Sequence, residues 1–121
     1  MNFFKRRRIL KNLNYLEATP VRKCDFNLND EGIITLIVPK FKNDRFNKWF
    51  LHHRKRYFRI SLDEVGSVVW QQIDGHTRVL DICNKSAEIL GENIQPVEQR
   101  VTKFLTMLYE ARYISFVEIE E

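Results

Sequence analysis

Ile60-Ser61-Leu62-Asp63-Glu64-Val65-Gly66-Ser67-Val68-Val69-Trp70-Gln71-Gln72-Ile73-Asp74-Gly75 is where the pattern of the chain changes. Just before and into it, Phe58, Ile60 and Leu62 alternate with Tyr57, Arg59 and Ser61, the two-residue period of a half-buried strand. From Leu62 onward, Leu62, Val65, Val69 and Ile73 keep a stripe of period 3.6 with Trp70 beside it, which predicts a helix. Ser61 and Glu64 have the spacing of a capping box, in which the hydroxyl and the carboxylate satisfy free amides at the helix start. Gly66 weakens such a helix by about 1 kcal/mol relative to Ala, a cost that makes sense where another element must come close. Asp74-Gly75 ends it.

Upstream, Pro20 opens an extended stretch in which Cys24, Phe26 and Leu28 alternate with Lys23, Asp25 and Asn27. Asn29-Asp30-Glu31-Gly32 is turn chemistry, and Ile33-Ile34-Thr35-Leu36-Ile37-Val38 reads as the central strand of a small sheet, stopped by Pro39. Downstream, Thr77 is placed to cap a second helix with the stripe Val79, Ile82, Cys83, Ala87 and Leu90, and Gly91 is its stop. Pro96 suits the opening of a third helix whose core face is Val97, Val101, Phe104, Leu105 and Leu108. Tyr113 to Ile119 reads as a short closing strand. The predicted fold is α+β and winged-helix-like: a three-stranded antiparallel sheet followed by three helices and a short C-terminal strand.

Residues 1–18 form a basic N-terminal arm, read as docked or frayed, with a short amphipathic helix for an acidic surface as the alternative. Residues 19–121 read as a single domain. Its basic and aromatic insert at 40–56, with Phe46, Trp49 and Phe50 among lysines and arginines, is long for a hairpin loop. Three readings of it stay open: an extended hairpin packed by its own aromatics, a docking arm for a partner, or a nucleic-acid patch.

The 121 residues, 44% hydrophobic and 30% charged, suit one soluble core. No apolar run nears the roughly 20 residues that cross a bilayer. Lys5-Arg6-Arg7-Arg8 is not followed by the apolar segment of a secretory signal, so a cytoplasmic location is expected. Cys24 and Cys83 sit in apolar patterns and read as buried free thiols. Charge is uneven: residues 1–61 carry 15 Lys and Arg against 5 Asp and Glu, and residues 62–121 carry 5 against 11. That asymmetry hints at an anionic partner for the first half.

No phosphate-binding glycine loop, nucleophile elbow or His-Glu-x-x-His motif is present. The adjacent His52-His53 pair is poorly spaced for one metal, and His76 stands apart in sequence. Asp63 and Glu64 fit a helix start, where negative charge opposes the dipole, better than a catalytic pair. Neither an enzyme nor a bound cofactor or metal is expected.

The stretch Ile60–Gly75, continued by Thr77, Val79 and Ile82, resembles the signature of the PqqD-like family, and Asp30-Glu31-Gly32-Ile33-Ile34-Thr35-Leu36 is similar to that family's first hairpin. The resemblance extends over about residues 18 to 117; the insert 40–56 departs from short members, which have a tight turn there. It implies a peptide chaperone, or recognition element, of ribosomal-peptide modification and coenzyme PQQ synthesis. Such a module binds the leader of a precursor peptide as an added strand and presents it to a modifying enzyme of the radical S-adenosylmethionine type, which itself carries the iron–sulfur cluster.

Carried onto this chain, the resemblance makes Tyr57, Arg59 and Ser61 the outward side chains of the third predicted strand and Phe58 and Ile60 the floor. Arg100, Lys103, Phe104 and Met107, at i, i+3, i+4 and i+7 of the third predicted helix, become the wall. The alternative is a winged-helix DNA-binding regulator with that helix as reader, against which stand Glu98 and Glu110 on the same helix. A third reading is a structural subunit that pairs its own sheet edge, so the chain would be monomer or dimer.

Overall fold

In the computed structural model, residues 3–39 and 57–119 are described. Their strands are β1 (Pro20–Arg22), β2 (Asp25–Leu28), β3 (Ile34–Pro39), β4 (Tyr57–Ser61) and β5 (Ile114–Phe116). Their helices are α1 (Phe3–Lys11), α2 (Glu64–Gln71), α3 (Val79–Leu90) and α4 (Val97–Glu110), with 3-10 turns at Tyr15–Glu17, Gly91–Ile94 and Val117–Ile119. The α+β class and the three-stranded antiparallel sheet are as expected, in the order β2-β3-β4.

Turn chemistry sets the first hairpin. Asn29 Oδ1 accepts the amides of Glu31 and Ile33 at 2.8 and 3.0 Å, and Gly32 takes φ 83, which a Cβ would oppose. β3 then lies between its neighbours, with Ile34, Leu36 and Val38 buried on one face and Thr35 and Ile37 half-buried on the other. The residues that flank the insert lie side by side, because Pro39 pairs with Tyr57. The insert itself and the His52-His53 pair lie outside the described residues.

The helices close over the inner face of the sheet. Trp70, Tyr109, Phe116 and Leu105 are fully buried, together with Ile34 and Leu36 from β3. Two buried serines on or beside the core are matched by hydrogen bonds. Ser67 Oγ accepts the Ile34 amide at 2.9 Å, tying α2 to the start of β3, and Ser86 Oγ accepts from Gln72 Nε2 at 2.8 Å. Both cysteines are free, Cys83 buried and Cys24 half-buried; burial raises each thiol to about 11, so neither is poised to react.

Three details differ from the reading of the sequence, and a fourth combines two of its alternatives. The N-cap of α2 is Asp63, whose Oδ1 accepts the Gly66 amide at 2.7 Å. Ser61 Oγ instead lies 3.2 Å from Thr35 Oγ1, a cross-strand contact that takes the hydroxyl away from the helix. Thr77 does not cap α3, whose N-cap is Arg78; the Thr77 amide and hydroxyl both donate to Asp74 in the preceding turn. The stretch from Pro20 is two strands, since β1 pairs with β5 (Pro20 opposite Phe116) and the chain joins β3 only from Asp25. Finally, the N-terminal arm is docked through a helix. Leu10 of α1 is buried, and Arg6 Nη2 donates to the Tyr109 carbonyl at 2.7 Å while its guanidinium lies 4.0 Å over the Tyr109 ring.

Candidate functional site

β4 is an edge strand: among the described residues no strand pairs with its outer side. Which of its backbone groups face outward follows from register. The Leu62 amide donates to the Ile34 carbonyl at 2.8 Å, and Thr35 lies opposite Ser61. In an antiparallel ladder, hydrogen-bonded and non-bonded pairs alternate, so Phe58, Ile60 and Leu62 turn their N–H and C=O toward β3. Tyr57, Arg59 and Ser61 therefore direct theirs to the open edge, one donor and one acceptor each.

The side chains alternate at right angles to this. Ile60 and Phe58 stand opposite Leu36 and Val38, on the inner face. Ile60 is half-buried against the core, and Phe58 is 53% exposed, so the floor remains accessible along the edge. Tyr57, at 52% exposure, Arg59 and Ser61 face away from the core.

At the far end of β4, α2 begins, and α4 packs across it. Gly66 is buried; a Cβ built there would lie 3.2 Å from Phe104 Cζ and 3.3 Å from Leu62 Cβ. The missing side chain is what lets the Phe104 ring reach α2, the close approach expected of this glycine. Between the two helices lies a cavity of about 110 Å³ bordered by Asp63, Val65, Val69, Ile94, Arg100 and Phe104. An apolar cavity of about 150 Å³ accommodates benzene, so this one suits a single aliphatic side chain. Arg100 is exposed at its mouth and donates to the Asn93 carbonyl.

The wall stripe divides. Arg100 and Phe104 face the α2 side, whereas Lys103 and the 59% exposed Met107 line a separate concavity with Arg7, Tyr15, Thr106 and Glu110. Asp63, Val65, Val69 and Ile94 were not singled out as binding residues from sequence; only the apolar stripe of α2 and the glycine within it pointed toward them. Among the described residues no group of His, Cys, Asp and Glu is arranged to hold a metal ion.

The arrangement defines a small α+β protein with an open sheet edge and a cavity between its first covering helix and a wall helix. A family model described as coenzyme PQQ synthesis protein D (PqqD) matches residues 49–114, more than half of the chain, and the chain belongs to that family. The family consists of non-catalytic accessory proteins that bind precursor peptides in the synthesis of coenzyme PQQ and other ribosomally made peptide products. The match covers β4 and the three following helices; the β2–β3 hairpin lies outside it. Neither a curated protein nor a solved structure matches the chain.

Proposed function

We propose that this protein seats the leader of a precursor peptide as a fourth strand on the outer edge of β4 and presents it to a modifying enzyme. The observation that supports this most is the edge itself: Tyr57, Arg59 and Ser61 offer their amides and carbonyls beside a cavity sized for one apolar side chain.

Magnitudes explain why both parts are needed. A hydrogen bond to each outward group contributes about 1 kcal/mol net, so the six give about 6 kcal/mol. Fixing five or six leader residues costs about 1–2 kcal/mol each, which cancels that gain. Burying one Leu or Val side chain of the leader adds about 1.5–3 kcal/mol that backbone pairing does not supply. Backbone pairing thus sets register and the cavity sets choice. Phe58 and Ile60 floor the groove, Phe104 walls it, and the Arg100 guanidinium is placed to meet a leader carboxylate. Lys103 and Met107, on the crest of α4, contact the leader only where it runs over the helix.

In this reading the modifying partner is a radical S-adenosylmethionine enzyme, and the reactive cluster belongs to that partner. The protein itself acts in the cytoplasm, where precursors are made. Among the described residues no helix is long and apolar enough to cross a membrane. The test is a titration of the isotopically labelled protein with a candidate leader, read by amide shifts. Changes are expected at residues 57–62 and 97–108; changes confined to β2, or to α1, would refute strand addition at β4.

A further inference from the structure

We propose that the groove between α1 and the outer side of α4 docks an acidic, extended segment of a partner protein. This surface lies on the opposite side of α4 from the cavity beside Gly66, and the inference stands whether or not a leader binds β4.

The groove is built, not frayed. Leu10 is buried under α1, the Arg6 guanidinium is stacked on Tyr109, and Arg7 Nε lies 3.3 Å from Glu110 Oε2. The Tyr15 hydroxyl joins the floor to α4, 2.8 Å from Thr106 Oγ1. Cationic side chains are therefore presented from a helix whose backbone is fixed before a ligand arrives. Two adjoining open concavities, about 430 and 540 Å³, share Arg7, Tyr15, Thr106 and Glu110. The first adds an apolar floor from Leu13 and the cation of Lys11; the second adds Lys103 and Met107. A third, about 320 Å³, continues along α1 past Phe4 and Arg8.

Charge selects the class of occupant. α1 carries no acidic residue, and of the residues lining the three concavities only Glu110 is acidic. Against it stand Arg7, Arg8, Lys11 and Lys103, of which Arg7 pairs with Glu110 itself. Carboxylates complement that surplus, with arginine able to hold one through two parallel bonds. The apolar floor adds contact for aliphatic residues between the acids, Met107 being the adaptable part. A bilayer fits poorly, because it calls for an outward apolar face, whereas α1 turns its buried Leu10 toward α4. A DNA duplex meets a convex backbone, not a chain that can enter a concavity floored by Leu13 and Tyr15.

The probe is a fluorescein-labelled peptide of three Glu-Glu-Leu repeats, titrated against the full chain and read by anisotropy. Saturable binding is expected, weakened at least about tenfold when salt rises from about 50 to about 300 mM and when Arg8→Glu and Lys11→Glu are combined. A Lys-Lys-Leu peptide of equal length should not bind, and Arg59→Pro should leave the acidic peptide's affinity unchanged. Amide shifts on the unaltered protein should fall in residues 7–15 and 99–110 and spare β4, which keeps the test decisive if the charge-reversed variant misfolds by circular dichroism. Equal binding by a folded charge-reversed variant, shifts centred on β4, or tighter binding of a DNA duplex or of phosphatidylserine vesicles than of the peptide would each overturn the proposal.

Discussion

The sheet has two open edges among the described residues, and they are not equivalent. On β4, Tyr57, Arg59 and Ser61 turn their backbone groups outward. On β2, the same alternation leaves Phe26 and Leu28 facing out, since Ile34 and Leu36 opposite them bond toward β4. Past the end of β4, where α2 begins, there is a cavity between α2 and α4. Beside β2 the space is already filled: Phe26 packs edge-on against buried Trp70 at 5.8 Å, and the Arg22 guanidinium lies 4.6 Å over the Phe26 ring. Arg22 Nη2 also donates to the Trp70 carbonyl at 2.9 Å, closing the end of α2. Under the proposed function, an exposed edge receives a peptide where an accessible apolar floor adjoins it. Where an aromatic clamp adjoins it, the edge serves the core.

The largest effect should come from breaking the clamp. Trp70→Ala removes a fully buried indole and is expected to destabilise by about 3–5 kcal/mol, with Phe26→Ala, half-buried, costing about 1.5–2.5 kcal/mol. Tyr57→Ala, at the other edge, should stay within about 0.5 kcal/mol in the same urea titration. If Tyr57→Ala destabilised as much as Phe26→Ala, the division between a structural and a free edge would fail.

Proline tests the edges by binding. Arg59→Pro deletes an outward donor and sets a ring against an incoming strand without touching the ladder to β3. Leader affinity, read by calorimetry, should fall at least about tenfold, or about 1.4 kcal/mol. Leu28→Pro deletes an outward donor on β2 and should leave leader affinity unchanged. Equal losses from both would mean that the leader does not distinguish the two edges.

Much of this was legible in the residues, and what was not has a common cause. The switch at Leu62 from period 2 to period 3.6 correctly separated β4 from α2, because one face of each is buried and the pattern records it. The cap was misread: Ser61 and Asp63 are both competent acceptors, and only Thr35, across the sheet, decides which hydroxyl or carboxylate is left for the helix. The docking of α1 depends on Arg6 meeting Tyr109 and on the burial of Leu10, contacts that no local repeat encodes. β1 and β5 are three residues long and far apart in sequence, too short to announce a partner. At the site, the spacing of Arg100, Lys103, Phe104 and Met107 defined a helix face. It could not show that α1 flanks this face on one side and α2 on the other, which splits the four residues between two concavities.

A smaller effect is expected at Gly66. Alanine improves helix propensity by about 1 kcal/mol, but its Cβ meets Phe104 Cζ at 3.2 Å. Half-buried Phe104 can swing away, so stability should change by less than about 1 kcal/mol while the cavity narrows. Leader affinity should drop severalfold even so. A variant that kept full affinity would remove the cavity from the site and leave the edge alone.

The smallest effect concerns acid, and it falls on the β2 side. Asp74 is held below its ordinary 3.8, chiefly by the His76 amide and also by the hydroxyl and amide of Thr77, and its charge in turn supports the Arg22 guanidinium that covers Phe26. A carboxylate whose folded pKa is depressed contributes stability that is present in full above its unfolded value. That contribution is lost as pH falls below 3.8 through the lower folded value. Asp74→Asn should therefore lower stability slightly at neutral pH and flatten the acid limb below about pH 4 by the same small amount, small because the group is largely exposed and screened. Amide exchange sharpens the comparison: in acid, protection should fade first at Phe26 and its neighbours while β4 keeps its pairing to β3. Loss at both edges together would mean that the turn at Asp74 acts on the whole sheet and not on the clamped edge.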